Sequence, residues 1–223
     1  GLNSEFKNFW DSLTLLLKAH PWHGISIGED APETVNTYIE TVPTDTDKYE
    51  IDKKSGFLKV DRPQKYSSIC PTLYGFIPQT YCDSRIAKHC ADRTRRPGII
   101  GDSDPLDICV LTEKAISHGD VIIRAIPIGG FCMIDQGQAD DKIIAVMSSD
   151  GLYSQWQDIS DCPTAFIDRL KHYFLTYKDL PGSDERMCEI THVYGRQEAL
   201  DIIRLAREDY LEKFGYLDEI SNG

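Results

Sequence analysis

Apolar residues recur along the chain with two different periods, and these periods predict an initial helix followed by several strands. A helical period runs over residues 4–19, which we predict to form an amphipathic helix that Pro21 ends; its apolar positions are Phe6, Phe9, Trp10, Leu13, Leu16 and Leu17. Short runs of strand-forming residues come next. We predict strands at residues 35–42, 48–51, 57–60, 108–111, 121–128 and 142–147.

The last part of the chain returns to the helical period. One predicted helix follows Pro163 and ends near Tyr177, a second follows residue 196, and residues 189–194 form a short strand between them. Strands followed by helices are typical of an α+β fold with a compact antiparallel sheet or barrel. We expect one domain over residues 1–223, with an N-terminal helical extension at 1–30 and a C-terminal helix at 196–223.

Residues 82–100 break the apolar pattern. They are polar and basic, with cations at Lys88, Arg93, Arg95 and Arg96. We predict an exposed loop insertion without catalytic residues, which could at most steer an anionic substrate.

Composition narrows the classes of function. The 223 residues carry a net charge of −12, which argues against a nucleic-acid partner because such proteins usually show a basic surface. No apolar run approaches the roughly 20 residues of a membrane span. The seven cysteines are odd in number and contain no C-x-x-C pair, so we expect reduced thiols and a cytoplasmic protein.

An acidic segment at residues 101–111 is the strongest chemical signal. It places Asp102, Asp104 and Asp107 within six residues, directly before an apolar run. Carboxylates so close together favour hard divalent cations such as Mg²⁺. A solvated turn and an EF-hand-type calcium loop ending at Glu113 are the alternatives. The calcium loop would need a glycine where Asp107 stands, and helical flanks.

The Asp-x-Asp-Pro-x-Asp pattern of this segment resembles the signature of soluble family I inorganic pyrophosphatases. Further fragments resemble that family in the order of the chain. They are Tyr38-Ile39-Glu40, Lys48-Tyr49-Glu50, Val60-Asp61-Arg62, Pro71-Thr72-Leu73-Tyr74-Gly75, Asp135 with Asp140 and Lys142, and Tyr177-Lys178. One departure is Cys70, which stands where bacterial relatives often carry a tyrosine.

The resemblance implies a five-stranded, OB-like β-barrel with flanking helices, including the N- and C-terminal ones. It also implies a homo-oligomeric enzyme that hydrolyses pyrophosphate to two phosphates with several Mg²⁺ ions. A non-catalytic calcium-binding module remains the alternative, although it does not explain the cationic and phenolic residues. An OB-type nucleic-acid binder is disfavoured by the charge.

The resemblance also assigns roles to individual residues. Asp104 would orient or deprotonate the attacking water. The metal ligands would be Asp102, Asp107, Asp135 and Asp140, with Glu40 and Glu50 acting partly through water. The substrate-binding residues would be Lys48, Arg62, Tyr74, Lys142, Tyr177 and Lys178. The family pattern selects Asp140 rather than Asp141, which we expect to be a surface charge.

Overall fold

The computed structural model describes residues 1–63, 69–177 and 188–222. The helices are α1 (Leu2–Leu16), α2 (Ser84–Thr94), α3 (Thr164–Thr176), α4 (Arg196–Phe214) and α5 (Tyr216–Asn222). The first five strands are β1 (Val35–Thr41), β2 (Asp47–Ile51), β3 (Leu58–Pro63), β4 (Leu73–Phe76) and β5 (Ile100–Gly101). The others are β6 (Asp107–Leu111), β7 (Val121–Asp135), β8 (Gln138–Ala139), β9 (Lys142–Met147) and β10 (Cys188–Gly195).

Five strands close into a ring. Their order is β1–β4–β6–β9–β7, and β7 pairs again with β1. All of these pairings are antiparallel except β6 with β9, which is parallel. Closure leaves no open edge among the five strands. The predicted OB-like barrel is therefore confirmed. The hairpin of β2 and β3 stands beside this ring, and β10 extends the distal half of β7.

Two apolar clusters cover opposite faces of the barrel strands. The first draws on all five strands, through residues such as Val35, Ile108 and Ile143, and continues under α2 and α4. The second contains Cys109 and Ile144, the chain neighbours of two of these residues, and packs them against α3. Since neighbouring strand residues point to opposite faces, one side of the sheet faces each cluster.

The close approach of β1 and β4 depends on Gly75. A Cβ at this position would lie 1.8 Å from the carbonyl oxygen of Tyr38. Only glycine permits this approach, which accompanies an irregularity in the β1–β4 register between Ile39 and Thr41. The sequence pattern did not predict β4, because this four-residue strand contains a glycine and is buried throughout. The prediction for β7 was also too short, since that strand continues to Asp135.

Residues 82–100 are not a loop insertion, so that prediction is wrong. Residues 84–94 form α2, whose Ile86, Ala87 and Cys90 are buried, and Ile86 and Cys90 belong to the first cluster. The start of α2 is bound by Asp209 of α4, which accepts hydrogen bonds from the backbone N–H groups of Asp83, Arg85 and Ile86 at 3.0–3.2 Å. Because the capping residue belongs to α4, the sequence around residue 84 contains no signal that predicts the start of α2.

The two ends of the chain differ in packing. The helix expected at residues 4–19 spans Leu2–Leu16, and none of its residues is buried. Trp22, just beyond it, is buried and donates its indole N–H to the carbonyl oxygen of Thr80 at 2.8 Å. The single C-terminal helix expected at 196–223 is divided at Gly215 into α4 and α5. No helix among the described residues is both long and apolar enough to span a membrane.

Candidate active site

A cavity of about 250 Å³ opens between the barrel and the β2–β3 hairpin. Eight carboxylates and four cationic side chains line it: Glu40, Glu50, Asp61, Asp102, Asp104, Asp107, Asp135, Asp140, Lys48, Lys53, Arg62 and Lys142. The phenols of Tyr49, Tyr74 and Tyr177 and the amide of Gln138 also line it. All site residues predicted from the sequence therefore line this cavity, except Lys178, which lies outside the described residues.

The loop that carries Asp102 and Asp104 is held by its own backbone. The Oδ1 atom of Asp102 accepts the N–H of Asp104 at 3.0 Å, and Ser103 between them has a φ of 61°. Cys82 pairs with this loop in both directions, donating to the carbonyl oxygen of Asp104 at 2.9 Å and accepting from Ser103 at 3.1 Å. The segment before α2 therefore fixes the loop, and the loop holds both carboxylates at the cavity.

A buried lysine joins the two acidic segments. Lys142 begins β9 directly opposite Asp107 in the parallel β6–β9 pair. Its Nζ atom lies 2.5 Å from Asp107 Oδ2, 2.8 Å from Asp140 Oδ1 and 3.0 Å from the hydroxyl oxygen of Tyr74. Burial alone would lower the pKa of Lys142, but the charges of Asp107 and Asp140 outweigh it and raise this pKa well above the usual value.

A tight turn explains the five-residue spacing between Asp135 and Asp140. Gln136 and Gly137 both have positive φ angles, 53° and 79°, as in the two-residue turn that joins antiparallel strands. Asp135 then pairs with Gln138, and the N–H of Asp140 bonds to the carbonyl oxygen of Met133 at 2.9 Å. The turn thus folds the second acidic segment back, so that Asp135 and Asp140 line the same cavity.

Asp141 is not a surface charge, so that expectation is wrong. Its side chain is buried and accepts a hydrogen bond from the hydroxyl of Tyr194 at 2.9 Å. Burial raises the pKa of Asp141 well above its usual range. Asp141 therefore faces β10 rather than the cavity, as expected for neighbours that point to opposite sides of an extended chain.

Burial and mutual repulsion oppose the ionisation of two carboxylates of the cavity, Asp102 and Glu40. Burial, followed by the charges of Asp140, Asp107 and Asp104, raises the pKa of Asp102 to about 9. Burial also raises the pKa of Glu40 to about 8, although its Oε2 accepts the N–H of Ile51 at 2.8 Å. Such a set of oxygen ligands suits hard divalent cations, which would neutralise the repulsion.

The carboxylates of the cavity are not positioned to bind a divalent ion as they stand. Lys142 lies between Asp107 and Asp140, and the described part of the chain contains no compact group of three acidic, histidine or cysteine side chains that could hold a metal ion. The ligand chemistry therefore fits a divalent ion, whereas the side chains would have to adjust to bind it.

Two cations and an aromatic ring lie together where the β2–β3 hairpin lines the cavity. Lys48 and Arg62 are paired across the β2–β3 hairpin, and both lie over the ring of Tyr177, at 5.4 and 5.1 Å from its centre. Asp61 accompanies them, with an Oδ2 atom 3.7 Å from Nζ of Lys48 and 3.6 Å from Nε of Arg62. A guanidinium and an ammonium placed in this way can bind the oxygens of a phosphate group.

Two charged residues of the cavity were missed by the sequence analysis as site residues. Lys53 forms an ion pair with Asp104, and Asp61 pairs with the cations of the hairpin. Lys53 lies in the turn between β2 and β3, where no periodic pattern indicates the direction of a side chain. For Asp61 a signal existed, because it directly precedes Arg62 in the fragment that was recognised.

A closed five-stranded barrel, with carboxylates and cations lining one cavity beside it, defines a class of OB-like barrel proteins suited to metal and phosphate groups. Residues 37–211 match the family model described as inorganic pyrophosphatase. The chain belongs to the inorganic pyrophosphatase family.

Individual relatives agree with this assignment. The chain is 51% identical over 200 residues to the inorganic pyrophosphatase of Chlamydia caviae, covering 87% of this chain and 92% of the relative. Against that of Chlamydia muridarum, identity is 49% over 207 residues, covering 91% and 99%. The crystal structure of inorganic pyrophosphatase from Thermus thermophilus superposes with a TM-score of 0.72 at 30% identity, covering 86% of this chain and 99% of that one.

Proposed function

We propose that the protein hydrolyses inorganic pyrophosphate to two phosphates and depends on several Mg²⁺ ions. The observation that carries this proposal is the cavity itself, which is lined both by carboxylates suited to divalent ions and by the cross-strand pair of Lys48 and Arg62. An acidic cavity binds an anion only when cations intervene, and phosphoryl transfer depends on such neutralisation and positioning. Family membership supports the same substrate.

The carboxylates of the cavity would bind the ions and prepare water. Asp102, Asp107 and Asp140 would be the principal ligands, with Asp135, Glu40 and Glu50 assisting. When bound, Mg²⁺ supplies charge neutralisation and lowers the pKa of a water molecule. Asp104 lies at the cavity beside Asp102 and would accept the proton of the attacking water.

The cations and phenols of the cavity would hold the substrate. Arg62, Lys48 and Tyr177 are grouped so that they can bind the departing phosphate, and Lys142 and Tyr74 can reach the phosphate near the metal ligands. Lys178 follows Tyr177 in the sequence and remains a prediction outside the described residues. These donors would align the phosphorus with the water and stabilise the charge that develops on the leaving oxygen.

The test is phosphate release from pyrophosphate by the purified protein. We expect turnover with Mg²⁺, none with EDTA, and suppression when Ca²⁺ is added at fixed Mg²⁺. Ca²⁺ seeks the same oxygen ligands, but its larger and looser coordination shell acidifies and orients water less well. Absence of phosphate release under every metal condition would refute the proposal, and full activity with Ca²⁺ alone would refute the choice of metal.

The calcium-binding alternative finds no support. An EF-hand loop ends in a helix, whereas the segment after Asp104 enters β6 at Asp107. A calcium module also gives no role to Lys48, Arg62 or Tyr177 at the same cavity.

We further propose a cytoplasmic homo-oligomer in which residues 1–223 form one domain. The seven cysteines are all buried, and none forms a disulfide within the described ranges, which suits a reducing compartment. Exposed apolar side chains near the C-terminal end of the described chain, Leu211 of α4 with Tyr216 and Ile220 of α5, favour association with another chain. Sedimentation of the purified protein tests the oligomer, and a monomer at micromolar concentration would contradict it.

A further inference from the structure

The turn between β2 and β3 is a rigid element at the rim of the cavity. Asp52 Oδ2 accepts hydrogen bonds from the N–H and hydroxyl of Ser55 at 2.9 and 2.6 Å. The N–H of Gly56 donates to the carbonyl oxygen of Asp52 at 2.7 Å, and the N–H of Asp52 donates to the carbonyl oxygen of Phe57 at 2.7 Å. Lys53 therefore starts from a backbone with little freedom.

Residues 20–22, which precede the family match, contact the backbone of this turn. Nε2 of His20 lies 2.8 Å from the carbonyl oxygen of Lys53. A carbonyl oxygen only accepts, so Nε2 carries the hydrogen, which leaves Nδ1 as the acceptor of the N–H of Trp22 at 3.1 Å. Both ring nitrogens are thus bound, and the ring orientation is fixed.

Close packing strengthens this support. Gly56 has a φ of +77°, and a Cβ there would lie 2.7 Å from Cδ of Pro21. The turn is thus pressed against residues 20–22, and glycine is required at the contact. These residues precede the family match at residues 37–211.

From this turn the side chain of Lys53 extends to the cavity. Its ammonium group forms an ion pair with Asp104 Oδ1. Partial burial opposes the charge, but the hydrogen bond and charge of Asp104 raise the pKa of Lys53 above its usual value. Both side chains are substantially exposed, so the pair contributes little to stability.

We propose that Lys53 is a positioning residue for Asp104, held at the required reach by residues 20–22. By binding one carboxylate oxygen, Lys53 fixes the orientation of the group and turns the other oxygen toward the attacking water. This proposal rests on the function proposed above, with Asp104 as the proton acceptor. Proton transfer requires the acceptor within hydrogen-bond reach of the water, and small misplacements of a reacting group reduce turnover strongly.

The first test compares substitutions within the turn. Lys53→Met removes the charge and keeps most of the length, Lys53→Arg keeps the charge, and Lys54→Met removes the neighbouring exposed charge outside the cavity lining. At saturating Mg²⁺ we expect Lys53→Met to lower kcat on the order of 10–100-fold. KM should stay within about twofold, and Lys53→Arg should recover most of the turnover. Melting temperatures of all three variants should match the parent within about 2 °C, because exposed ion pairs contribute little.

The second test addresses the support from residue 20. His20→Ala removes the donor to the Lys53 carbonyl, whereas His20→Gln retains an N–H donor. We expect His20→Ala to lower kcat, as Lys53→Met does, and His20→Gln to lower kcat less. The double variant of His20→Ala with Lys53→Met should lose no more turnover than Lys53→Met alone. Such non-additivity is expected of residues that act as one unit.

The outcomes separate this proposal from the proposed function. An inactive parent protein refutes the function itself. An active parent with normal kcat in Lys53→Met, or an equal loss in Lys54→Met, overturns the role of Lys53 and leaves the function intact. A rise in KM alone would show that Lys53 binds substrate rather than positioning Asp104.

Discussion

At the scale of single residues, the proposed function gives the carboxylates of the cavity two different roles, binding metal and accepting a proton. Asp104 is the proposed acceptor, because it lies at the cavity on the same short loop as Asp102. Asp104→Asn keeps the shape of the side chain and removes the base, so kcat should fall on the order of 10²–10⁴-fold. Steady-state kinetics at saturating Mg²⁺, with melting temperature as the control for folding, measure this. Near-normal turnover would assign the base elsewhere.

Lys142 provides a test that does not depend on activity. Its fully buried ammonium group neutralises Asp107 and Asp140, so Lys142→Met leaves buried carboxylates without their counter-charge. Denaturant unfolding without divalent ions should show a loss of about 3–5 kcal/mol. Because the carboxylates then lack a competing cation, added Mg²⁺ should raise the melting temperature of the variant more than that of the parent.

The control for this experiment is Lys88→Met, which breaks an exposed i,i+4 pair with Asp92. That change should cost no more than about 0.5 kcal/mol and should leave the Mg²⁺ effect unaltered. If Lys142→Met and Lys88→Met behaved alike, Lys142 would not be the counter-charge of these carboxylates.

Much of the candidate site could be predicted because its residues lie in short contiguous fragments. The resemblance found Asp102, Asp104 and Asp107 together, since their spacing is itself the signal. Lys53 was not predicted because residues in a turn follow no periodic pattern that would indicate the direction of a side chain. Asp141 was misplaced because a sequence shows that two neighbours face opposite ways but not which side is buried.

At the scale of elements, α2 depends on a contact made across the fold. Asp209 is buried, accepts three backbone N–H groups at the start of α2, and also binds Arg85. Asp209→Ala would leave three N–H donors at the start of α2 without acceptors, including the buried one of Ile86, so we expect a loss of about 2–3 kcal/mol in the free energy of unfolding. Urea unfolding monitored by circular dichroism measures it.

Glu212→Ala is the matched control, because Glu212 binds the same Arg85 from an exposed position. Its effect should stay within about 0.5 kcal/mol. Equal effects of the two substitutions would show that the Arg85 ion pair, rather than the helix cap, fixes α2. Residues of α2 belong to the first apolar cluster. Deletion of α2 should therefore destabilise the protein, whereas deletion of an exposed loop would not.

The type of an element was predictable where its apolar residues recur with a clear period, as in α3, or where they form a short run of strand-forming residues, as in β9. The error at α2 has a physical cause. Its buried face contains only three small or medium side chains, and the residues that support it belong to α4, more than a hundred positions later. Burial on both faces similarly concealed the distal half of β7, where the alternation disappears.

At the scale of the whole molecule, the N-terminal region divides into a dispensable and an essential part. No residue of α1 is buried, so deletion of residues 1–16 should leave kcat unchanged and the melting temperature within about 2 °C of the parent. Deletion of residues 1–24 also removes Trp22 and His20. It should destabilise the protein by at least about 3–5 kcal/mol, the usual cost of removing a buried tryptophan. Equal stability of the two truncated proteins would contradict this division.

The barrel itself illustrates what a single sequence conveys about architecture. Strand positions followed from composition and alternation, and the number and closure of the ring came from the family resemblance. The partners of β1 could not be read from the pattern, because Tyr38 pairs with Phe76 on one side and with Ile122 on the other. Such long-range pairings are determined by packing of the whole molecule.

Closure of the ring has a consequence for how the protein is made. β1 leaves the ribosome well before β7, yet the two must pair to close the barrel. Because contacts between distant segments have a large loop-closure cost, folding should be slow relative to helical proteins of similar size. Asp107 and Lys142 meet only when β6 and β9 are paired. The nascent chain can therefore form the ion pair of Asp107 with Lys142, and the part of the cavity around it, only after β9 has emerged.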